Sequence, residues 1–298
     1  MTMPWSFEPS PFAPAGEWIK CGFHCHTTNS DGGLSPAETV RTYREEGFCC
    51  LGISDHAHVT PMAEFCDEGF LGIDSVENRG LPDILAVGVR APAPEDWTLA
   101  ERAVALAAQG AFTIAVHPHY CAALPEDYLG CPGLHAIEIC NAYCVRAYAN
   151  GLATELWDML LGQGMRVWGV AGDDAHLNPK KRYYSRAGLA WVEAWCGGLT
   201  RQAVLASLRA GAFYSTQGPR FTAITVGDRS LRVETSPVAE VRWRTYGKEG
   251  FVDYAGAGQE HLTASSLPEW FTPRRYVRIE LVDREGRRAW SNPFYVTH

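Results

Sequence analysis

The sequence predicts an α/β protein followed by a smaller all-β domain, and two observations carry this prediction. From Glu17 to Gly211, apolar strand-like runs alternate with helical patterns, which is typical of a parallel sheet or an α/β barrel. After Gly211 the helical periodicity nearly disappears, and short β-rich runs are separated by turns that contain Gly and Asp. These runs predict a small antiparallel β domain.

Local patterns justify the elements in chain order. Prolines in the first sixteen residues predict an extended arm. The first helix begins after Ser35, which has the character of an N-cap, with Pro36 in the first turn and Glu38 completing a capping box. Two further helices are predicted at 97–109 and 146–161. The strands of the α/β part are predicted at 18–23, 48–53, 72–76, 83–89, 111–116, 136–139 and 167–171.

The β-rich runs complete the division of the chain. They lie at 221–226, 230–235, 241–245, 276–282 and 294–296. We therefore expect an arm (1–16), an α/β domain (17–218) and a β-rich domain (219–298).

Composition narrows the functional classes. The net charge of −8 argues against broad binding to nucleic acid or to an anionic membrane, because neither would be attracted over the whole surface. The start lacks a signal-peptide pattern and no run approaches the length of a membrane span, so we expect a cytoplasmic protein. Ten cysteines without a C-x-x-C pair favour free, largely buried thiols over disulfides or a zinc ribbon.

Four clusters of histidine and aspartate are the most informative feature, since seven of the ten histidines fall in them. Each cluster follows a strand-like run. Imidazoles and carboxylates repeated at strand ends predict a multinuclear metal centre. The clusters are His24-Cys25-His26 with Asp31, Asp55-His56 with His58, His117-Pro118-His119, and Asp173-Asp174-Ala175-His176.

Spacing suggests how the first clusters would work. His24 and His26 are two apart at a strand end, so both imidazoles point to one face and can reach one ion. Asp31 follows in a turn, close enough to serve a neighbouring ion. In the next cluster we favour His56 as a ligand and Asp55 as support for an imidazole.

These motifs, in their order, resemble those of the PHP (polymerase and histidinol phosphatase) superfamily over residues 17–218. The resemblance implies a distorted (β/α)7 barrel that holds two or three divalent ions of zinc, manganese or iron. The motifs are His24-x-His26-Thr27, Ser30-Asp31-Gly32, Ser54-Asp55-His56, Val76-Glu77, His117-Pro118 and Gly172-x-Asp174-Ala175-His176. The stretches 199–222 and 276–296 look like the CehA/McbA group, metal-dependent hydrolases whose activities include cleavage of aryl carbamate esters.

The resemblance also implies roles for single residues. A first metal would be held by His24, His26 and Asp174. Glu77 would bridge it to a second metal, which His117 also holds. Asp31, His56 and His176 would form a third position. Many PHP proteins have a histidine near Asp83; this carboxylate either replaces it as a ligand or is an ordinary turn residue.

The implied chemistry is hydrolysis by a metal-activated hydroxide. His119 and His58 are candidate general acids, although each could equally be a hydrogen-bonded loop residue. Arg182 and Arg186 could clamp a phosphate, or belong to a solvated basic loop.

We therefore expect a hydrolase of a small-molecule phosphoester, or of a carboxylic or carbamate ester, with no nucleic-acid or membrane partner and an oligomeric state left open. The alternative is a catalytically degenerate PHP-fold binding or regulatory module.

Overall fold

The computed structural model describes residues 5–178, 180, 186–247, 249–256 and 258–298. Within these residues the protein is a mixed α/β structure, as the sequence predicts, with nineteen strands in three sheets and six α-helices. None of the described helices is long and apolar enough to cross a membrane.

The helices lie mostly where periodicity predicts them. The predicted first helix and its capping box are confirmed, because Ser35 and Glu38 bond reciprocally to each other's backbone. Thr98 and Glu101 form a second box at the next helix. The six helices are α1 (Pro36–Glu45), α2 (Leu99–Ala108), α3 (Pro125–Tyr128), α4 (Ala142–Tyr148), α5 (Thr154–Gly162) and α6 (Arg201–Ala210).

The strands are shorter and more numerous than expected. The first eleven are β1 (Ser6–Phe7), β2 (Glu17–Gly22), β3 (Cys50–Leu51), β4 (Leu71–Gly72), β5 (Ser75–Asn78), β6 (Ile84–Val87), β7 (Phe112–Ala115), β8 (Ala136–Asn141), β9 (Trp168–Gly172), β10 (Trp191–Cys196) and β11 (Phe213–Thr216). The rest are β12 (Phe221–Val226), β13 (Leu231–Val238), β14 (Glu240–Thr245), β15 (Gly250–Tyr254), β16 (Leu262–Ser266), β17 (Tyr276–Val282), β18 (Arg288–Ser291) and β19 (Phe294–Thr297).

Two sheets build the α/β part and face each other. A five-stranded sheet has the order β5-β6-β7-β8-β9, while β11-β10-β2-β3-β4 belong to an eleven-stranded sheet. One core cluster takes side chains from both sheets, among them Cys21, Phe112 and Val192. Burial of these apolar groups between the sheets is the main force that holds them together.

The two sheets meet at single points rather than along a continuous ladder. Isolated parallel bridges join Cys25 to Ala175 and His56 to Glu77; Cys25, Ala175 and His56 lie just beyond strand ends, and Glu77 lies within β5. In the described part of the chain, hydrogen bonding therefore does not close the sheets into a barrel, and the predicted (β/α)7 barrel is not confirmed. Antiparallel pairing of β5, β6 and β7 is a second departure from the expected parallel order.

The predicted helix 146–161 is wrong in its extent, because two helices occupy this region. Helix α4 ends at Tyr148, the following Ala149 has a φ of +58°, and α5 begins at Thr154. A Cβ on Gly151 would lie 2.2 Å from the carbonyl oxygen of Asn141, so this glycine permits a close approach of two backbones. Asn141 N–H in turn donates to the Gly151 carbonyl at 2.8 Å, and the chain leaves the helix there.

The C-terminal residues are β-rich and antiparallel, as expected. Their β18 pairs with β11, so the eleven-stranded sheet runs through both predicted domains. The arm contributes β1, which pairs with β19, although its sequence shows no strand periodicity. The domain bounds at 16 and 218 stay a prediction.

The cysteines are free, and most of them are buried. Cys21, Cys50 and Cys140 are fully buried within apolar clusters, where a thiol acts as a small hydrophobic group. This confirms the prediction of buried thiols rather than disulfides.

Candidate metal centre

The predicted ligands come together where the two sheets meet. His24 and His26 follow β2, His117 follows β7, and Asp174 follows β9. Glu77 lies within β5 and is 1% exposed. Backbone bonds such as that from His26 N–H to the Ala175 carbonyl, at 2.9 Å, hold these segments side by side.

Glu77 occupies the centre of the site. Its Oε2 lies 3.3 Å from His24 Nε2, 3.3 Å from His26 Nε2 and 3.3 Å from His56 Nδ1. Its Oε1 lies 2.8 Å from His117 Nε2. One carboxylate thus faces four imidazoles.

Asp174 completes a first group of donors. Its Oδ1 is 3.1 Å from His26 Nε2 and 3.4 Å from His24 Nε2. Its Oδ2 accepts a hydrogen bond from Asn141 Nδ2 at 3.1 Å. The carboxylate is therefore oriented with one oxygen toward the imidazoles.

Asp31, His56 and His176 form a further group of possible metal ligands on the solvent side of the cluster. Asp31 lies 3.2 Å from His176 Nε2 and 3.5 Å from His56 Nε2. The rings of His56 and His176 each have their centroid 4.5 Å from that of His26. Among the described residues, four sets of donor atoms could hold a metal ion, and three of them belong to this cluster: His24 with His26 and Asp174; His24 with Glu77 and His117; and His26 with Asp31, His56 and His176.

Glu138, which the sequence analysis missed, supports two of the ligands. Its Oε1 accepts from His24 Nδ1 at 2.8 Å, and its Oε2 accepts from His117 N–H at 2.8 Å and from Asn141 Nδ2 at 2.9 Å. A carboxylate behind an imidazole fixes the tautomer and the ring orientation. The available signal was a charged residue inside the apolar run of β8.

Asp55 does not support an imidazole, which corrects the prediction for it. Instead it accepts from Thr27 N–H and hydroxyl at 2.7 Å, from Ser30 at 2.7 Å and from Thr60 at 2.6 Å. These bonds shape the turn that carries Asp31. Its role is to position that turn.

The adjacent Asp173 is likewise structural. It accepts from the backbone N–H groups of residues 188–190 and from the Tyr43 hydroxyl. Burial raises the pKa of Asp173 to about 6, against the lowering effect of these hydrogen bonds.

The electrostatics of the cluster fit a bound cation. Burial alone would lower the pKa of His24, but the negative charges of Asp174, Glu138 and Glu77 raise it well above its usual value. Conversely, burial would raise the pKa of Glu77, but the neighbouring histidines lower it well below its usual value. Several buried carboxylates therefore need positive charge, which protonated imidazoles or bound metal ions can supply.

A cavity of about 400 Å³ opens onto this cluster. Arg79 lies on its wall and is a cation that the sequence analysis did not single out. Tyr120 and Tyr148 also line it, with ring centroids 5.5 Å apart. The lining is formed by Asp31, His56, Glu77, Arg79, Gly80, Asp83, His117, Tyr120, Tyr143, Cys144, Tyr148, Asp174 and His176.

Other predicted residues are not brought into the cluster. His58, His119 and Arg186 are exposed and do not line the cavity. Arg182 lies outside the described residues. Asp83 lies on the cavity wall but groups with His117 and Cys121, not with Glu77.

Comparison with known proteins identifies the fold. No protein-family model and no curated protein matches the chain. A crystal structure of a two-domain protein from Bacteroides vulgatus, which contains a predicted PHP-like metal-dependent phosphoesterase, is similar at a TM-score of 0.53 and 12% identity. The similarity covers 93% of this chain and 94% of that one. An amidohydrolase from Chromobacterium violaceum, with bound sulfate and no metal, has a TM-score of 0.43 and 11% identity over 56% of this chain and 90% of that one.

The first of these similarities extends over almost the whole of both chains, so it includes most of the β-rich C-terminal residues. The resemblance inferred from the ordered histidine motifs is thereby confirmed at the level of the fold, which this chain shares with a protein that contains a predicted PHP-like metal-dependent phosphoesterase.

Proposed function

We propose that the protein is a metal-dependent hydrolase of small-molecule phosphoesters. The observation that carries this proposal is the buried Glu77 carboxylate facing four imidazoles, with two aspartates beside them and an open cavity in front. Histidines with a purely structural role would have no reason to cluster around one buried carboxylate, whereas metal ligands do.

The three donor sets would hold two or three ions. Imidazole with carboxylate suits zinc, manganese and iron alike. Divalent cations bound there would lower the pKa of water and polarise a phosphoryl oxygen.

The remaining residues hold the ligands and the substrate. Glu138 accepts the Nδ1 hydrogen of His24, which leaves the Nε2 lone pair directed at the centre. Asn141 orients Asp174 by donating a hydrogen bond from Nδ2 to its Oδ2. Arg79 would bind the anionic oxygens of the ester, because a guanidinium matches phosphate geometry. This cation favours a phosphoester over a neutral ester.

Two measurements on the purified protein test the proposal: elemental analysis, and turnover of aryl phosphates, phosphodiesters, carbamates and carboxylic esters. The His24→Ala/His26→Ala double variant should lose both metal and turnover, whereas the exposed-histidine control His261→Ala should keep both. Turnover that survives in the double variant would exclude this centre as the site of reaction.

The panel also separates the competing functions. Turnover of carbamates or carboxylic esters alone would favour the activity implied by the CehA/McbA resemblance. A protein that takes up no metal and stays inactive when Mn²⁺, Zn²⁺ or Fe²⁺ is supplied would instead be the binding or regulatory module.

A further inference from the structure

A small group of polar atoms lies on the side of His117 that faces away from Glu77. Cys121 Sγ is 3.5 Å from His117 Nδ1 and 3.7 Å from Asp83 Oδ2. The other oxygen of Asp83 accepts from Gly80 N–H at 2.7 Å. Asp83 is thus held with Oδ2 toward the thiol.

The local backbone produces this arrangement. His117 and Cys121 are four residues apart, and Cys121 N–H donates to the His117 carbonyl at 3.2 Å. The turn closed by this bond brings the thiol of Cys121 beside the imidazole of His117. His117 itself has a φ of +30°, a conformation that non-glycine residues adopt rarely and that surrounding contacts must maintain.

The chemistry of imidazole decides what the group does. His117 Nε2 faces Glu77 at 2.8 Å, so this nitrogen is the one placed to bind a metal. A neutral imidazole has one lone pair, and when Nε2 provides it, Nδ1 carries the hydrogen. That hydrogen then needs an acceptor, and Cys121 Sγ is the atom beside it.

We propose that Cys121, held by Asp83, is a positioning residue that fixes the tautomer and ring orientation of His117 for metal binding. The Nδ1 hydrogen is donated to Sγ, and the thiol hydrogen is donated to Asp83 Oδ2. For His117 this pair does what Glu138 does for His24. The inference rests on the metal centre proposed above.

The same three residues could be read as a metal site of their own, since their ligand atoms lie within 4.8 Å of one another. That reading requires His117 Nδ1 as the ligand. It leaves Nε2 without a lone pair for the group around Glu77. The buried position of Glu77 and its short contact with Nε2 favour the positioning role.

The test titrates metal-free protein with Zn²⁺ in competition with a chelator, and with Co²⁺ while absorption is recorded. Cys121→Ala should weaken the binding of one metal equivalent by roughly 10- to 100-fold, as is typical when a partner behind a ligand is lost. Cys121→Ser should restore most of this affinity, because a hydroxyl can accept from Nδ1 and donate to Asp83. The similarly half-buried Cys131→Ala serves as the matched control and should bind like wild type.

The outcomes are distinct. A thiolate-to-Co²⁺ charge-transfer band that disappears in Cys121→Ala would make Cys121 a ligand and overturn the positioning role. Equal metal affinity in wild type and Cys121→Ala would overturn it while leaving the metal centre intact. Wild-type protein that binds no metal would overturn both. Loss in Cys121→Ala with rescue by serine and no charge-transfer band is the expected result.

Discussion

At the scale of single residues, the candidate metal centre depends on side chains that orient the ligands without being ligands themselves. Glu138 accepts three hydrogen bonds from two ligand segments and from Asn141. Motif spacing indicated His24, His26 and Asp174 as ligands, because two-residue spacing at a strand end is a local property. Glu138, Arg79 and Cys121 were missed, since their roles depend on contacts between segments distant in the chain.

Replacing Glu138 with glutamine should weaken metal binding by roughly 10- to 100-fold. Both oxygens of the Glu138 carboxylate accept hydrogen bonds. The NH₂ group of a glutamine would replace one of these oxygens and would face a hydrogen-bond donor in either orientation. That donor would be His24 Nδ1 in one orientation, and His117 N–H with Asn141 Nδ2 in the other. Chelator competition measures the affinity. The exposed-site variant Glu68→Gln should bind like wild type, and an unchanged affinity in Glu138→Gln would show that the acid is dispensable.

Replacing Arg79 with alanine should raise KM for a phosphomonoester about tenfold, the low end of what a charge-assisted hydrogen bond contributes, because the side chain is exposed. Turnover of a neutral ester, if any, should not change. Arg186→Ala is the control, since Arg186 is exposed away from the cavity wall. A raised KM in Arg186→Ala with an unchanged KM in Arg79→Ala would instead favour the anion clamp predicted at Arg182 and Arg186.

At the scale of elements, the local sequence was enough to predict some helix and strand boundaries but not others. The N-terminus of α1 could be predicted, because Ser35, Pro36 and Glu38 interact within one turn. The break between α4 and α5 could not, because it depends on the contact of Gly151 with Asn141. The strand β1 could not be predicted either, because its sequence has no strand pattern and it is a strand only through its pairing with β19.

Helix α5 is joined to the β-rich residues by a paired charge. Arg278, 1% exposed at its side chain, donates from Nε and Nη2 to Asp158 at 2.7 and 2.6 Å. Burial acts to raise the pKa of Asp158, but the guanidinium groups of Arg278 and Arg244 outweigh it and lower that pKa. The pair therefore stabilises the folded state while the carboxylate is charged.

The Asp158→Asn variant should lower the free energy of unfolding by about 3 kcal/mol, because it removes the carboxylate that accepts both short hydrogen bonds from the buried Arg278 and leaves this guanidinium only the more distant Glu280, at 3.7 Å. Since the folded-state pKa is lowered, this contribution is complete above the ordinary aspartate pKa of about 3.9 and is lost as pH falls through the lower folded value. Denaturant titration at neutral and acid pH measures the difference. If the difference in free energy of unfolding between wild type and variant stayed constant down to the lowest pH, this account would be contradicted.

The exposed pair of Arg232 and Glu234 provides the control for that variant. Both side chains are more than half exposed, so Glu234→Gln should cost at most about 1 kcal/mol.

At the scale of the whole molecule, the sequence indicated an α/β body with a β-rich C-terminal part, and the structure agrees. It did not reveal that one sheet runs through both parts, because β11 and β18 are more than seventy residues apart and pair only in the folded chain. In the described residues the barrel implied by family resemblance is likewise not formed, because two sheets pack against each other and only isolated backbone bridges join them.

Removal of metal should lower the thermal stability of the whole protein, because an ion that binds only the folded state stabilises it by mass action. Melting temperatures with and without a chelator, followed by return of Zn²⁺ or Mn²⁺, measure the effect. The His24→Ala/His26→Ala variant should show little response to either treatment. A wild-type melting temperature indifferent to the chelator would contradict the prediction.

The isolated bridges between the sheets have a consequence for the lifetime of the protein. A ladder opens only when many hydrogen bonds break together, whereas the single bridges at Cys25 and His56 can open locally. The candidate ligands lie beside both bridges, so metal bound there would strengthen the connection between the two sheets at these points. We expect proteases to cut the metal-free form sooner, which limited digestion of both forms can measure; metal supply would then set how long the protein persists.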